Sequence, residues 1–170
     1  GHEALHYSSI AAGTFKALAK DQDLEVSWED YETWLQQKWL VAAEKGGPAE
    51  GIVRAMIAMA RTGRVIGRKH FAVAEEIAKT HKILQKIRPA DFRRMVKEQY
   101  CILEADEEKA LAALAKLIPG EHDRDEALGL ARRIALVDGA YTPDEKAMLE
   151  KIGRGLGIAQ VEPGNKLLKF

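Results

Sequence analysis

Apolar side chains recur every three or four residues along most of the chain, the spacing of a helix that buries one face. Leu111, Leu114 and Ile118 form one such stripe. No segment alternates for long between apolar and polar residues, so strands are not predicted. We therefore predict an all-α fold of about eight helices, in the regions 3–20, 27–45, 49–61, 68–87, 90–104, 106–118, 124–137 and 143–157.

The breaks between these regions carry helix stop and start signals. Gly46-Gly47-Pro48 ends one region and opens the next, and Pro119-Gly120 does the same later in the chain. Helices joined by such short loops pack as antiparallel neighbours. We predict one compact helical domain over residues 1–158, followed by an irregular C-terminal tail over residues 159–170.

Composition narrows the class of protein. The 170 residues include 26 basic and 26 acidic side chains, so the field that would steer the whole molecule onto nucleic acid is absent. We therefore do not expect nucleic acid as a partner. A single cysteine, Cys101, excludes an intramolecular disulfide framework and suits a reducing compartment. No apolar run reaches the ~20 residues of a membrane helix, and cytoplasm is the expected location.

The sequence contains a faint internal repeat. "IAMARTGRV" (57–65) and "IALVDGAY" (134–141) both read as a helix end followed by a glycine turn and another helix. The first copy lacks the carboxylates of the second. The two replacements are Thr62 in the place of Asp138 and Lys69 in the place of Glu145.

The stretch "VDGAYTPDE" (137–145) admits two interpretations. In the first it joins two helices: Gly139 ends one, Thr142 caps the next, and Glu145 reaches back as the partner in a capping box. In the second its carboxylates supply oxygen ligands to a hard cation such as calcium, although the spacing is not that of an EF-hand.

A second acidic stretch, "LEADEEK" (103–109), lies at another helix junction. Its carboxylates either complement the positive end of the following helix or join the cation site through packing of the hairpins. The candidate metal ligands are Asp138, Asp144, Glu145, Glu104 and Asp106.

The three tryptophans lie in "SWEDYETWLQQKWL" (27–40). At helical spacing Tyr31, Leu35 and Trp39 share one face, whereas Trp28 and Trp34 point away from it. The aromatic rings either pack in the core or form a contact site for a protein partner or a second copy of the chain.

The sequence contains few patterns that are typical of catalytic sites. The sequence has no Gly-x-Ser-x-Gly elbow, and Cys101 lies on an apolar stripe with no activating base. We therefore expect a protein without enzymatic activity.

"ALVDGAYTPDEKAMLEKIGRGLGI" (135–158) resembles the closing helical hairpin of TerB-like domains, a bacterial family associated with tellurite resistance. The resemblance implies an all-helical fold with an internal duplication and a role in stress response. It also implies a divalent cation (Ca²⁺, Mg²⁺ or Zn²⁺) on Asp138 and Glu145. The expected function is therefore a binding or regulatory module that holds a cation weakly and contacts a protein partner.

A longer resemblance covers residues 40–158. Segments such as "GGPAEGIVRAMIAM" and "RKHFAVAEEI" are similar to the C-terminal region of bacterial proteins related to polyhydroxyalkanoate synthases. It implies an accessory C-terminal domain of a longer enzyme, and no catalytic residue is carried over. A purely structural interaction domain without metal is the other alternative.

Overall fold

The computed structural model describes residues 27–62 and 66–158. The predicted helix at 3–20 and the predicted tail at 159–170 lie outside these residues. Within them the fold is all-α and contains no strand, which confirms the predicted fold class. The α-helices are α1 (Trp28–Ala42), α2 (Pro48–Ala60), α3 (Arg68–Thr80), α4 (Pro89–Ala105), α5 (Glu107–Ala112), α6 (Leu114–Leu117), α7 (Glu121–Ala135) and α8 (Pro143–Gly155).

Two predicted helices are shorter than the periodicity indicates. The region 68–87 stops at Thr80, because His81 is extended and its Nδ1 accepts a hydrogen bond from the N–H of Ile83 (3.2 Å). A separate 3-10 turn follows at Leu84–Lys86. The region 106–118 breaks at Ala113, where α5 ends and α6 begins.

The centre of the bundle is α2. Every residue from 51 to 60 is buried, and α2 packs chiefly against α7 and α4. The helix begins at Pro48, and the Glu50 carboxylate accepts a hydrogen bond from the N–H of Gly47 (2.8 Å). Apart from Arg54, this buried stretch is apolar or glycine. A helix that is apolar on nearly all sides belongs in the interior, and here its neighbours enclose it.

The outer helices surround this centre. α1 packs on α4, α3 packs on α7, and α8 packs on α5 and α7. The contact between α8 and α5 requires Gly155, because a Cβ there would collide with the carbonyl of Leu111. None of the described helices is both long and apolar enough to cross a membrane.

Candidate functional site

The turn at residues 137–145 forms the predicted helix junction. Thr142 Oγ1 accepts a hydrogen bond from the N–H of Glu145 (3.2 Å), and Glu145 Oε1 accepts one from the N–H of Thr142 (3.1 Å). Gly139 has a φ of +106°, a conformation that glycine adopts without strain. The Glu145 side chain is buried within this capping box, so at least one of its oxygens serves the start of α8.

Asp138 faces a histidine of the neighbouring helix α3. Its Oδ2 lies 3.5 Å from Nε2 of His70, which is buried. His70 Nδ1 accepts a hydrogen bond from the N–H of Gly67 (3.3 Å). A neutral imidazole that accepts at Nδ1 carries its proton on Nε2, so the proton points towards Asp138.

The predicted ligands before α5 also have partners within the chain. Asp106 is the N-cap of α5, and its Oδ1 accepts a hydrogen bond from the N–H of Lys109 (3.0 Å). Glu104 Oε1 lies 3.0 Å from Nη2 of Arg61. Asp144 differs, because it makes no hydrogen bond or ion pair with any described residue.

Within residues 27–62 and 66–158, no three or more His, Cys, Asp or Glu side chains are arranged to hold a metal ion. The structure does bring two of the expected regions together, since Asp144 of α8 and Glu107 of α5 line one pocket. A divalent cation on Asp138 and Glu145 stays a prediction.

That pocket has a volume of about 280 Å³ and lies where the ends of α2, α5 and α8 meet. Its lining is mixed in charge and has a small apolar part. The lining residues are Arg61, Thr62, Glu107, Asp144, Ala147, Met148 and Lys151.

Arg61 supplies a positive charge at this place. Its guanidinium lies 3.0 Å from Glu104 and 3.7 Å from Glu107, and 5.8 Å from the ring centre of Tyr100. Lys151 approaches the other oxygen of Glu107 (3.8 Å). Burial, and then the Glu104 carboxylate, raise the pKa of the Tyr100 phenol. Glu104, one of the carboxylates that the sequence offered to an external cation, therefore pairs with a cation of the chain itself.

A second arginine of α2 was missed by the sequence reasoning. Arg54 is completely buried; its Nε donates to Gln99 Oε1, and its Nη1 donates to the carbonyls of Ala43 and Ala110, each at 2.8 Å. It thereby joins the end of α1 to α4 and α5. The available signal was one charged residue inside the apolar run "IVRAMIAMA".

The tryptophan helix divides as its spacing predicts. Tyr31 and Trp39 are buried and Leu35 is partly buried, so this face packs inward. Trp28 is 67% exposed, and Trp34 is partly exposed.

Cys101 lies on a buried face of α4. Burial, and then the nearby Glu104, raise the pKa of its thiol to about 11. The thiol therefore stays protonated near neutral pH, and the nucleophilic thiolate is scarce.

Comparison with known proteins gives one distant similarity. The chain is 26% identical over 120 residues to a protein of Rhizobium meliloti described as an uncharacterized protein in the ackA 5′ region. The match covers 70% of this chain and 16% of that protein, so the chain spans about a sixth of the relative's length. No family model and no solved structure matches the chain.

Proposed function

We propose that the chain is a non-enzymatic, TerB-like binding module that contacts a protein surface through the outward side of α1, around Trp28. The observation that carries this proposal is an indole ring that is 67% exposed and yet held in place. Large aromatic side chains are enriched at protein interfaces, where they act as energetic anchors.

The Trp28 ring is fixed by two neighbours. Its Nε1–H donates to Glu32 Oε1 (2.8 Å), and its ring centre lies 5.2 Å from that of Tyr31. A side chain that is already ordered loses less conformational entropy when a partner covers it. Order of this kind favours a contact site over an aromatic that is exposed by accident.

The helix that carries Trp28, α1, is held in place by its N-terminal cap and by its contacts with the core. Ser27 and Asp30 form a capping box at its start, and Tyr31 and Trp39 anchor it in the core. Trp28 is therefore presented from a fixed scaffold. The proposed contact around Trp28 involves none of the predicted cation ligands, and one of them, Glu104, pairs with Arg61.

A second copy of the chain is the partner that can be tested first. We expect sedimentation velocity over a concentration series to show reversible self-association for the wild type. Trp28→Ala should weaken this association about thirtyfold, the loss of roughly 2 kcal/mol expected for an aromatic anchor. Thr33→Ala, an exposed change on the same helix, is the matched control.

Far-UV circular dichroism must show the same helical content in all three proteins. A wild type that stays monomeric at every concentration, with Trp28→Ala indistinguishable from it, removes Trp28 as a contact between copies.

A second candidate function is that of a C-terminal accessory domain in a longer polypeptide related to polyhydroxyalkanoate synthases. The similarity to a short part of a much longer protein favours only the coarser idea that the chain is one part of a longer polypeptide. The genomic sequence upstream of the Gly1 codon tests this candidate. An uninterrupted reading frame that encodes a hydrolase-like part supports it, and an in-frame stop codon too close upstream of Gly1 to leave room for such a part rejects it.

A further inference from the structure

Positive charge is concentrated in one segment of a chain whose net charge is zero. Between residues 79 and 97, seven side chains are lysine or arginine and one, Asp91, is acidic. This segment runs from the end of α3 through the 3-10 turn into the first half of α4. The seven cations are Lys79, Lys82, Lys86, Arg88, Arg93, Arg94 and Lys97.

Several of these cations have no partner nearby. Arg88 and Arg94 share the carboxylate of Asp91, at 2.8 Å and 3.1 Å, and Arg94 also lies 4.0 Å from Glu98. Lys86 and Arg93 are exposed and make no ion pair or hydrogen bond through their side chains with a described residue. Two carboxylates, Asp91 and Glu98, thus serve the four cations of this paragraph, which leaves an excess of positive charge.

The cations of α4 lie on one side of the helix. At about 100° per residue, Arg93, Arg94 and Lys97 fall within an arc of roughly 100°. Phe92 and Met95 fall outside this arc and pack against the core. The positive side chains therefore form one outward surface.

The extent of the surface indicates the kind of partner. From Pro89 to Lys97 the helix rises only about 12 Å. The next stretch carries the acidic residues Glu98, Glu104 and Asp106, which would repel a long polyanion that continued along α4. The segment also exposes no large apolar side chain. A short acidic stretch of a protein fits this surface, and an extended nucleic acid does not.

We propose that the surface formed by Lys86, Arg88, Arg93 and Arg94, called here the basic surface, binds a short acidic segment of a partner protein. Arginine guanidinium groups pair with carboxylates through two parallel hydrogen bonds, which gives such contacts direction as well as charge attraction. This inference rests on the proposed function of the chain as a binding module.

Fluorescence anisotropy with labelled hexaglutamate, at about 0.1 M salt, tests the basic surface. We expect the double variant Lys86→Glu with Arg93→Glu to bind at least about tenfold more weakly than the wild type. Arg133→Glu reverses an exposed cation on α7 and should change the affinity less than about twofold. Melting curves of all variants establish that each is folded.

Two further ligands separate the alternatives. A short single-stranded DNA and vesicles of phosphatidylcholine with phosphatidylglycerol should bind more weakly than hexaglutamate. Tighter binding to either of them overturns the choice of an acidic protein segment. Equal affinity of the double variant and Arg133→Glu for hexaglutamate overturns the basic surface itself.

The same assay separates this inference from the proposed function. Trp28→Ala should keep its affinity for hexaglutamate, because Trp28 lies on α1 and outside the basic surface. If Trp28→Ala abolishes self-association while the charge reversals leave hexaglutamate binding unchanged, the inference fails and the proposed function stands.

Discussion

Arg54 lies within α2, and Arg61 is the residue that caps its C-terminal end. They are seven residues, about two helical turns, apart and so lie on the same side of the helix. Arg54 is wholly buried and donates to one amide and two carbonyls. Arg61 is partly exposed and contacts two carboxylates. The same side chain therefore performs two different tasks.

The two guanidinium groups differ in the groups that surround them. Arg54 meets the carbonyl of Ala43, at the end of α1, where the helix dipole is negative and the carbonyls lack helical partners. Burial lowers the pKa of Arg54 to about 10, so its charge is held at a cost that these hydrogen bonds must offset. Arg61 stands among carboxylates that water can also solvate.

Arg54→Ala should be the most destabilising of these changes. It leaves two buried carbonyls and the Gln99 amide without their donor and opens a cavity, for an expected loss of about 4 kcal/mol in the free energy of unfolding. Urea denaturation measures this loss. Arg133→Ala, on the surface of α7, should stay within about 0.5 kcal/mol of the wild type. A loss below 1 kcal/mol for Arg54→Ala would show that the buried network is dispensable.

Gln99→Ala tests the same buried network by removing an acceptor of Arg54 instead of Arg54 itself. Gln99 is buried, and its loss leaves Arg54 Nε without an acceptor while the two carbonyl bonds remain. We expect a loss of about 2 kcal/mol, smaller than for Arg54→Ala. The exposed Gln85→Ala serves as the control in the same urea titration. A greater loss than for Arg54→Ala contradicts the ranking.

Arg61→Ala should cost only about 1 kcal/mol, because ion pairs that solvent reaches contribute little. Its effect should shrink as sodium chloride is raised, since salt screens exposed charges more than buried ones. The effect of Arg54→Ala should stay nearly constant over the same range. Equal salt dependence of the two variants, measured by urea denaturation, would remove the distinction between them.

The smallest expected effect is that of divalent cations. Without Arg61, the carboxylates of Glu104 and Glu107 lose a positive neighbour, and Asp144 lines the same pocket. We expect calcium at millimolar concentration to raise the melting temperature of Arg61→Ala by about 2 °C, as a ligand of the folded state does, and that of the wild type by less.

Asp138→Asn tests the cation site that the TerB-like resemblance implies. If Asp138 and Glu145 hold a cation, calcium, magnesium or zinc stabilises the wild type, and Asp138→Asn abolishes the response. We expect identical responses from the two proteins, because Glu145 is engaged in its capping box and His70 lies beside Asp138.

Several features follow directly from local sequence. Helical periodicity gave the all-α fold, and the spacing of Tyr31, Leu35 and Trp39 gave the inward face of α1. Thr142 and Glu145 form the capping box that their three-residue spacing predicts. Such features depend on neighbours within one helical turn, so the order of residues is sufficient to find them.

Other features depend on residues that are far apart in the chain. Arg54 reaches Gln99 and Ala110 across 45 and 56 positions, and Arg61 reaches Glu104 across 43. No local spacing encodes those distances. The sequence alone thus determined which segments are helical and where acidic residues gather. Only tertiary packing decided that an arginine of the chain lies among Glu104 and Glu107, because the charge of a site depends on every helix end that meets there.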